Sequence, residues 1–171
     1  MSGWRPNFDW ITPTLAVGGS FPVERSEAVA REHGVAAVVD LREEACDDEL
    51  ELTRCGVAFL HLPTEDERGV SQPMLDEGAT FVRERLSAGE RVLIHCEHGI
   101  GRSALLALCV LSAEGAGPAN ALRTLKDARE KVSPSEHQYR AWAQWLARHR
   151  LPAAPDWEAY CRVAYRHLAH A

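Results

Sequence analysis

Val92-Leu-Ile-His-Cys-Glu-His-Gly-Ile-Gly-Arg-Ser-Ala-Leu-Leu106 is the stretch on which the fold turns. Its first residues are an apolar run of strand length, and Ala104 to Ala113 is apolar nearly all round, as a helix in the middle of a fold must be. Between them lies a turn carrying Cys96, Gly99, Gly101 and Arg102. A thiol at its ordinary pKa of about 8.5 is only a few per cent thiolate at neutral pH. The turn opens a helix, whose free amides favour an anion; its glycines let successive amides turn inward; Arg102 adds a permanent charge. The dipole supplies about 0.3–2 kcal/mol, whereas lowering the thiol by three pH units takes about 4 kcal/mol, so amide hydrogen bonds and the guanidinium must supply the rest. A ring of amides with a forked guanidinium also matches the free oxygens of a phosphate monoester, and points to phosphoryl transfer to sulfur.

Working outward, strands and helices alternate. Thr14 to Gly19 reads as a strand, Pro22 to His33 as a helix stopped by Gly34, and Ala36 to Leu41 as a strand covered on both faces. Glu43 to Arg54 reads as a short acidic helix closed by Gly56, and Val57 to Leu62 as a strand stopped by Pro63. Ser71 to Ala88 carries apolar residues at helical spacing, and Arg91 to His95 is a fourth strand. A helix ending near Lys131 follows, and Ser133-Pro-Ser-Glu136 reads as a capping box opening a helix with Tyr139, Trp142, Trp145 and Leu146 on one stripe. The expectation is an α/β fold: a central, mostly parallel sheet of about four or five strands flanked by helices. Residues 1–150 form the catalytic domain. Residues 151–171, set off by Pro152 and Pro155, are expected to form a C-terminal helical extension whose stripe of Trp157, Tyr160, Cys161, Ala164 and Leu168 packs on that domain, the alternative being a dimerisation or partner surface.

The chain has 171 residues, of which 46% are hydrophobic and 26% charged, with a formal net charge of −6. That suits one globular domain and excludes a disordered or fibrous chain. The acidic balance gives no footprint for nucleic acid or for anionic lipid. The longest apolar run, Ala104 to Leu111, is far short of the roughly 18 residues of a spanning helix. The opening Met-Ser-Gly-Trp-Arg-Pro has no apolar core of a secretory signal. Five scattered cysteines, Cys46, Cys55, Cys96, Cys109 and Cys161, do not make a disulfide framework, so a reducing cytoplasm is expected, with a monomer as the expected state. Cys109 reads as a small core residue. His95, Cys96 and His98 are too crowded for a metal site, and neither metal nor cofactor is expected.

His95, Cys96, the five residues Glu97 to Gly101, then Arg102 and Ser103 resemble the signature of the cysteine-dependent protein tyrosine phosphatase superfamily. Chain length and Trp10-Ile-Thr-Pro-Thr-Leu-Ala-Val-Gly-Gly19 are similar to its small, atypical dual-specificity branch, over about residues 10 to 147. The resemblance implies a protein tyrosine phosphatase-like fold. It makes Cys96 the nucleophile, Arg102 and the loop residues Glu97, His98, Gly99, Ile100 and Gly101 the phosphate cradle, and Ser103 a donor to the departing sulfur. It implies a general acid on a loop about thirty residues upstream, where Asp66 lies between Glu65 and Glu67. A positioned acid is worth about 10²–10⁴ in rate. His95 is expected beneath the loop, bonding its carbonyls. Gln138 is where some relatives carry a water-positioning glutamine, yet packing or exposure suits its helix better, and Arg68 reads as a solvated surface residue. The loop interior lacks the added cations of relatives that act on phosphoinositides. The expected partner is therefore a phosphorylated protein, phosphotyrosine first with some phosphoserine or phosphothreonine. The alternatives are a non-protein phosphomonoester such as a phosphoinositide, a docking module without turnover, and the arsenate reductases, low-molecular-weight phosphatases and sulfurtransferases that use related loops elsewhere in their chains.

Overall fold

The computed structural model describes residues 3–169. Five strands form one sheet in the order β1-β2-β5-β3-β4. They are β1 Phe8–Thr12, β2 Leu15–Gly18, β3 Val35–Arg42, β4 Ala58–Thr64 and β5 Arg91–His95. β2, β5, β3 and β4 run parallel, and β1 folds back antiparallel on β2. This is the mostly parallel α/β sheet expected. β1 is an added element: only Phe8 and Ile11 of Phe-Asp-Trp-Ile-Thr are buried, so this edge strand lacks the continuous apolar run of the inner ones.

The helices are α1 Ser26–Arg31, led by a 3₁₀ turn, α2 Glu49–Arg54, α3 Gln72–Ser87, α4 Arg102–Leu111, α5 Pro118–Ala128, α6 Glu136–Arg148 and α7 Trp157–Ala164. Side-chain alternation sorts them onto two faces. Val92 and Ile94 of β5 point into the larger core around α4, while Leu93 points with Val29 of α1 and Leu52 of α2 into the smaller one. Every residue of α4 is buried, as the apolar run from Ala104 to Leu111 requires, and with it Arg102 and Ser103 at its start.

Three boundaries depart from the sequence reading. The acidic helix begins only at Glu49, because the Asp48 side chain caps it and, before it, Glu44 is held by Arg102 and Asp47 by Arg42 and His95. β4 runs through Pro63; as the edge strand it can lose one N–H without breaking a ladder. The capping box falls on Ser135 and Gln138, two residues past Ser133, with the serine hydroxyl on the Gln138 amide and the glutamine oxygen on the Ser135 amide. α7 lies against α5 and α6. Tyr160 is fully buried beside Tyr139 and donates its hydroxyl to the Pro134 carbonyl, and buried Lys126 bonds the Ala164 carbonyl at the end of α7. Leu168 lies beyond that helix and is exposed, off the packed face.

The chain passes from β3 outward to β4 and then returns to place β5 on the other side of β3. At such a reversal the loops leaving the carboxyl ends of adjacent strands diverge and open a crevice. Cys96 follows β5 directly, and Glu44 follows β3.

Candidate active site

The loop between β5 and α4 is shaped from outside. Each carbonyl from Cys96 to Gly101 has an acceptor role directed away from the loop centre. The Cys96 oxygen takes a bond from His95 Nδ1, the Glu97 oxygen from the Ser20 amide, and the His98 and Gly99 oxygens from the Arg129 guanidinium at 3.0 and 2.8 Å. The Ile100 oxygen accepts from the Ser133 amide, and the Gly101 oxygen from Leu105 in the first turn of α4. A trans peptide puts its N–H opposite its carbonyl, so turning these oxygens out turns the amides in over Cys96. Gly99 sits at φ 68, and a Cβ there would lie 2.4 Å from the Gly18 backbone, so only glycine fits.

Cys96 is 3% exposed. Burial pushes its thiol up, but the Ser103 hydroxyl at 3.3 Å, the amides of Ser103 and Gly99 and the charge of Arg102 outweigh it, and its pKa falls below the ordinary thiol value.

Arg102 is 1% exposed. Its Nη1 donates to Glu44 Oε1 at 2.6 Å and to the Thr64 carbonyl at 2.7 Å, and its Nη2 to Glu44 Oε2 at 2.8 Å. A guanidinium has five N–H groups. Three are engaged; the two left, one on Nη2 and that on Nε, form one edge of the fork. Nε is buried without a hydrogen-bond partner, an arrangement that an incoming phosphate oxygen would satisfy. Asp66 Oδ1 stands 3.5 Å from it.

Beneath the loop His95 is fully buried. Its Nδ1–H donates to the Cys96 carbonyl and its Nε2–H to Asp47 Oδ2. Burial disfavours the imidazolium, but Asp47, Asp40 and the carbonyl together raise its pKa. Arg42 joins this cluster to the loop, donating through Nε and Nη2 to both Asp40 oxygens, through Nη2 to Asp47 and through Nη1 to Glu97. Asp40, Asp47 and His95 have ligand-type atoms within 4.8 Å of one another, as do Asp40, Cys46 and His61. The guanidinium already stands where a metal ion would balance these carboxylates, and the Asp47 amide also bonds Asp40.

Asp66, Cys96, His98, Ile100 and Gly101 line one cleft of about 280 Å³, together with Glu67, Ser133, Ser135 and Gln138. The structure thus gathers Cys96, Arg102, Ser103, Asp66 and the loop residues named from the sequence. Glu97 differs: its carboxylate turns away onto Arg42 and Ser20, so only its backbone belongs to the bowl. Arg68 stays on the surface beside Glu65. Gln138 is packed, at 1% exposure, against Gly101 of the loop. Glu44, Arg129 and Ser135 escaped the sequence reading. Only Ser135 left a trace there, in the Ser-x-x-Gln spacing of a helix start.

The family model "Dual specificity phosphatase, catalytic domain" matches residues 19–147. The human phosphatidylglycerophosphatase and protein-tyrosine phosphatase 1 is 29% identical over 140 residues, covering 75% of this chain and 69% of that protein. Among solved structures, Tk-PTP in its active form superposes with a TM-score of 0.77 at 27% identity, covering 85% of this chain and 99% of its own. PTPMT1 in complex with PI(5)P shares the fold, with a TM-score of 0.77 at 20% identity over 83% of this chain and 96% of its own. The chain belongs to the small, atypical dual-specificity branch of the cysteine-dependent protein tyrosine phosphatase superfamily.

Proposed function

We propose that this phosphatase hydrolyses phosphoproteins, phosphotyrosine foremost and phosphoserine or phosphothreonine in part, through a phosphocysteine at Cys96. The substrate's phosphate sits on the inward amides and the free edge of Arg102, with the Cys96 sulfur in line with the leaving oxygen. The thiolate bonds to phosphorus as the ester P–O bond breaks, and Asp66 gives its proton to the departing oxygen. Asp66, now a carboxylate, takes a proton from water as the water oxygen attacks phosphorus. The P–S bond breaks, Ser103 donates to the returning thiolate, and inorganic phosphate leaves.

One observation supports the substrate reading: apart from Arg102 in the bowl itself, no lysine or arginine among the described residues lines the cleft, and its wall bears Asp66 and Glu67. A single phosphomonoester needs only the bowl and Arg102, whereas a headgroup with several phosphates meets carboxylates. The human relative's name favours a second reading, a lipid phosphomonoester. Comparing kcat/KM on phosphotyrosyl and phosphothreonyl peptides with that on phosphatidylglycerophosphate and phosphoinositides in mixed micelles tests the choice. Phosphotyrosyl peptide should lead; turnover confined to the lipids would reject the protein reading. The five free cysteines support action in a reducing cytoplasm.

A further inference from the structure

We propose that Ser135 and Gln138, at the start of α6, form a latch that holds the acid loop over the nucleophile, and so are positioning residues for proton transfer. The proposal rests on the reading of Asp66 as the acid. The Ser135 hydroxyl donates to the Glu67 carbonyl at 2.7 Å, and Gln138 Nε2 donates to the Arg68 carbonyl at 3.3 Å. These are the two carbonyls directly after Asp66. Between them the chain makes an unusual turn, with Glu67 at φ 65, where residues other than glycine rarely sit. Within the loop, that turn is supported by Asp66 Oδ1 on the Glu67 amide and the Glu65 carbonyl on the Arg68 amide.

The same two side chains also face the phosphate bowl. Gln138 lies so close on Gly101 that a Cβ there would be 2.5 Å from its Oε1. On the other side, a Cβ at Gly69 would meet the His137 carbonyl at 3.1 Å, so the loop's exit also presses on α6. One helix end thus fixes the distance between the acid and the sulfur, and Asp66 Oδ1 comes to 3.5 Å from Arg102 Nε.

Each latch residue has two roles, and they are separable. The Ser135 hydroxyl accepts from the Gln138 amide while donating to the loop; Gln138 Oε1 accepts from the Ser135 amide while Nε2 donates to the loop. Ser135→Asp keeps the capping acceptor and removes the donor; Gln138→Glu does the same; Ser135→Thr keeps both. The three variants and Asp66→Asn are to be compared with wild type on a phosphotyrosyl peptide, whose leaving group needs a proton, and on an aryl phosphate with an acidic phenol, which does not.

Ser135→Asp and Gln138→Glu should lower kcat on the peptide about tenfold, the size of one lost hydrogen bond, and flatten the alkaline limb of its pH profile. On the activated phosphate kcat should stay within about threefold of wild type. The added charge should raise KM on both substrates alike, and Ser135→Thr should restore the wild-type ratio. Equal losses of kcat on the two substrates, or no loss on either with an unchanged melting temperature, would overturn the latch. If Asp66→Asn itself shows no difference between the substrates, it is the assignment of the acid that fails; if it does and the latch variants do not, the latch alone fails.

Discussion

Glu44→Gln tests whether the guanidinium of the bowl is set by its carboxylate partner. Glu44 holds Arg102 with two charge-assisted bonds of 2.6 and 2.8 Å, and the hydrogen bond from Arg102 keeps the Glu44 carboxyl at about 2. Taken at face value that displacement corresponds to roughly 3 kcal/mol. The Glu44 side chain is 43% exposed, however, and solvent screening reduces the contribution to about 1–2 kcal/mol. Glutamine offers one oxygen, and its NH₂ meets an Nη of Arg102 donor to donor. Arg102 then keeps the Thr64 carbonyl as its fixed partner and its free edge swings from the phosphate position. We expect kcat/KM on an aryl phosphate to fall about tenfold, inhibition by inorganic phosphate to weaken in parallel, and melting to drop by about 2–8 °C. A carboxyl depressed in the folded state contributes above its unfolded pKa of about 4.3 and ceases to contribute as pH falls through about 2. The stability gap between wild type and variant should therefore narrow as pH falls from about 4 toward 2. Unchanged melting with unchanged phosphate inhibition would refute the claim that Glu44 sets the fork.

Ser103→Ala removes a hydroxyl 3.3 Å from the Cys96 sulfur, and a bond to a charged acceptor is worth about 1.5–3 kcal/mol. The pH inflection of Cys96 alkylation should rise by about one to two pH units, and an unmoved inflection would contradict the role. Arg129→Met frees the His98 and Gly99 carbonyls, so phosphate inhibition should weaken at least about tenfold and the alkylation inflection should also rise. Retained phosphate affinity in that variant would show that the loop holds its shape unaided.

The parallel strands and the reactive loop were legible because their signals are local: apolar runs of strand length, and a cysteine and an arginine at fixed spacing before an apolar helix. The segment from Glu43 to Asp48 misled for the opposite reason. Its acidic composition suits a helix's first turn, yet Glu44 is drawn to Arg102 and Asp47 to His95, both brought near by the sheet order, and Asp47 also to Arg42 just upstream. β1 was missed because an edge strand with one buried face in Phe-Asp-Trp-Ile-Thr carries little periodicity. Gln138 reads as packed or exposed on its own helix, and only the loop bearing Gly101, laid over it, decides for packing.

These misreadings share a physical origin that bears on how the site works. A ring of inward amides is not a stable shape for a chain by itself, since its carbonyls would have to find water or one another. Here the ring exists because groups from four separate places take those carbonyls: Ser20 after β2, Arg129 after α5, Ser133 before α6, and His95 beneath, itself held by Asp47. The nucleophile and the fork lie within one run of seven residues, but the amide ring that helps the Ser103 hydroxyl lower the thiol's pKa is imposed by the tertiary fold. A peptide containing only residues 92–106 would carry the whole signature without Ser20, Arg129 and Ser133, or the Asp47 that holds His95.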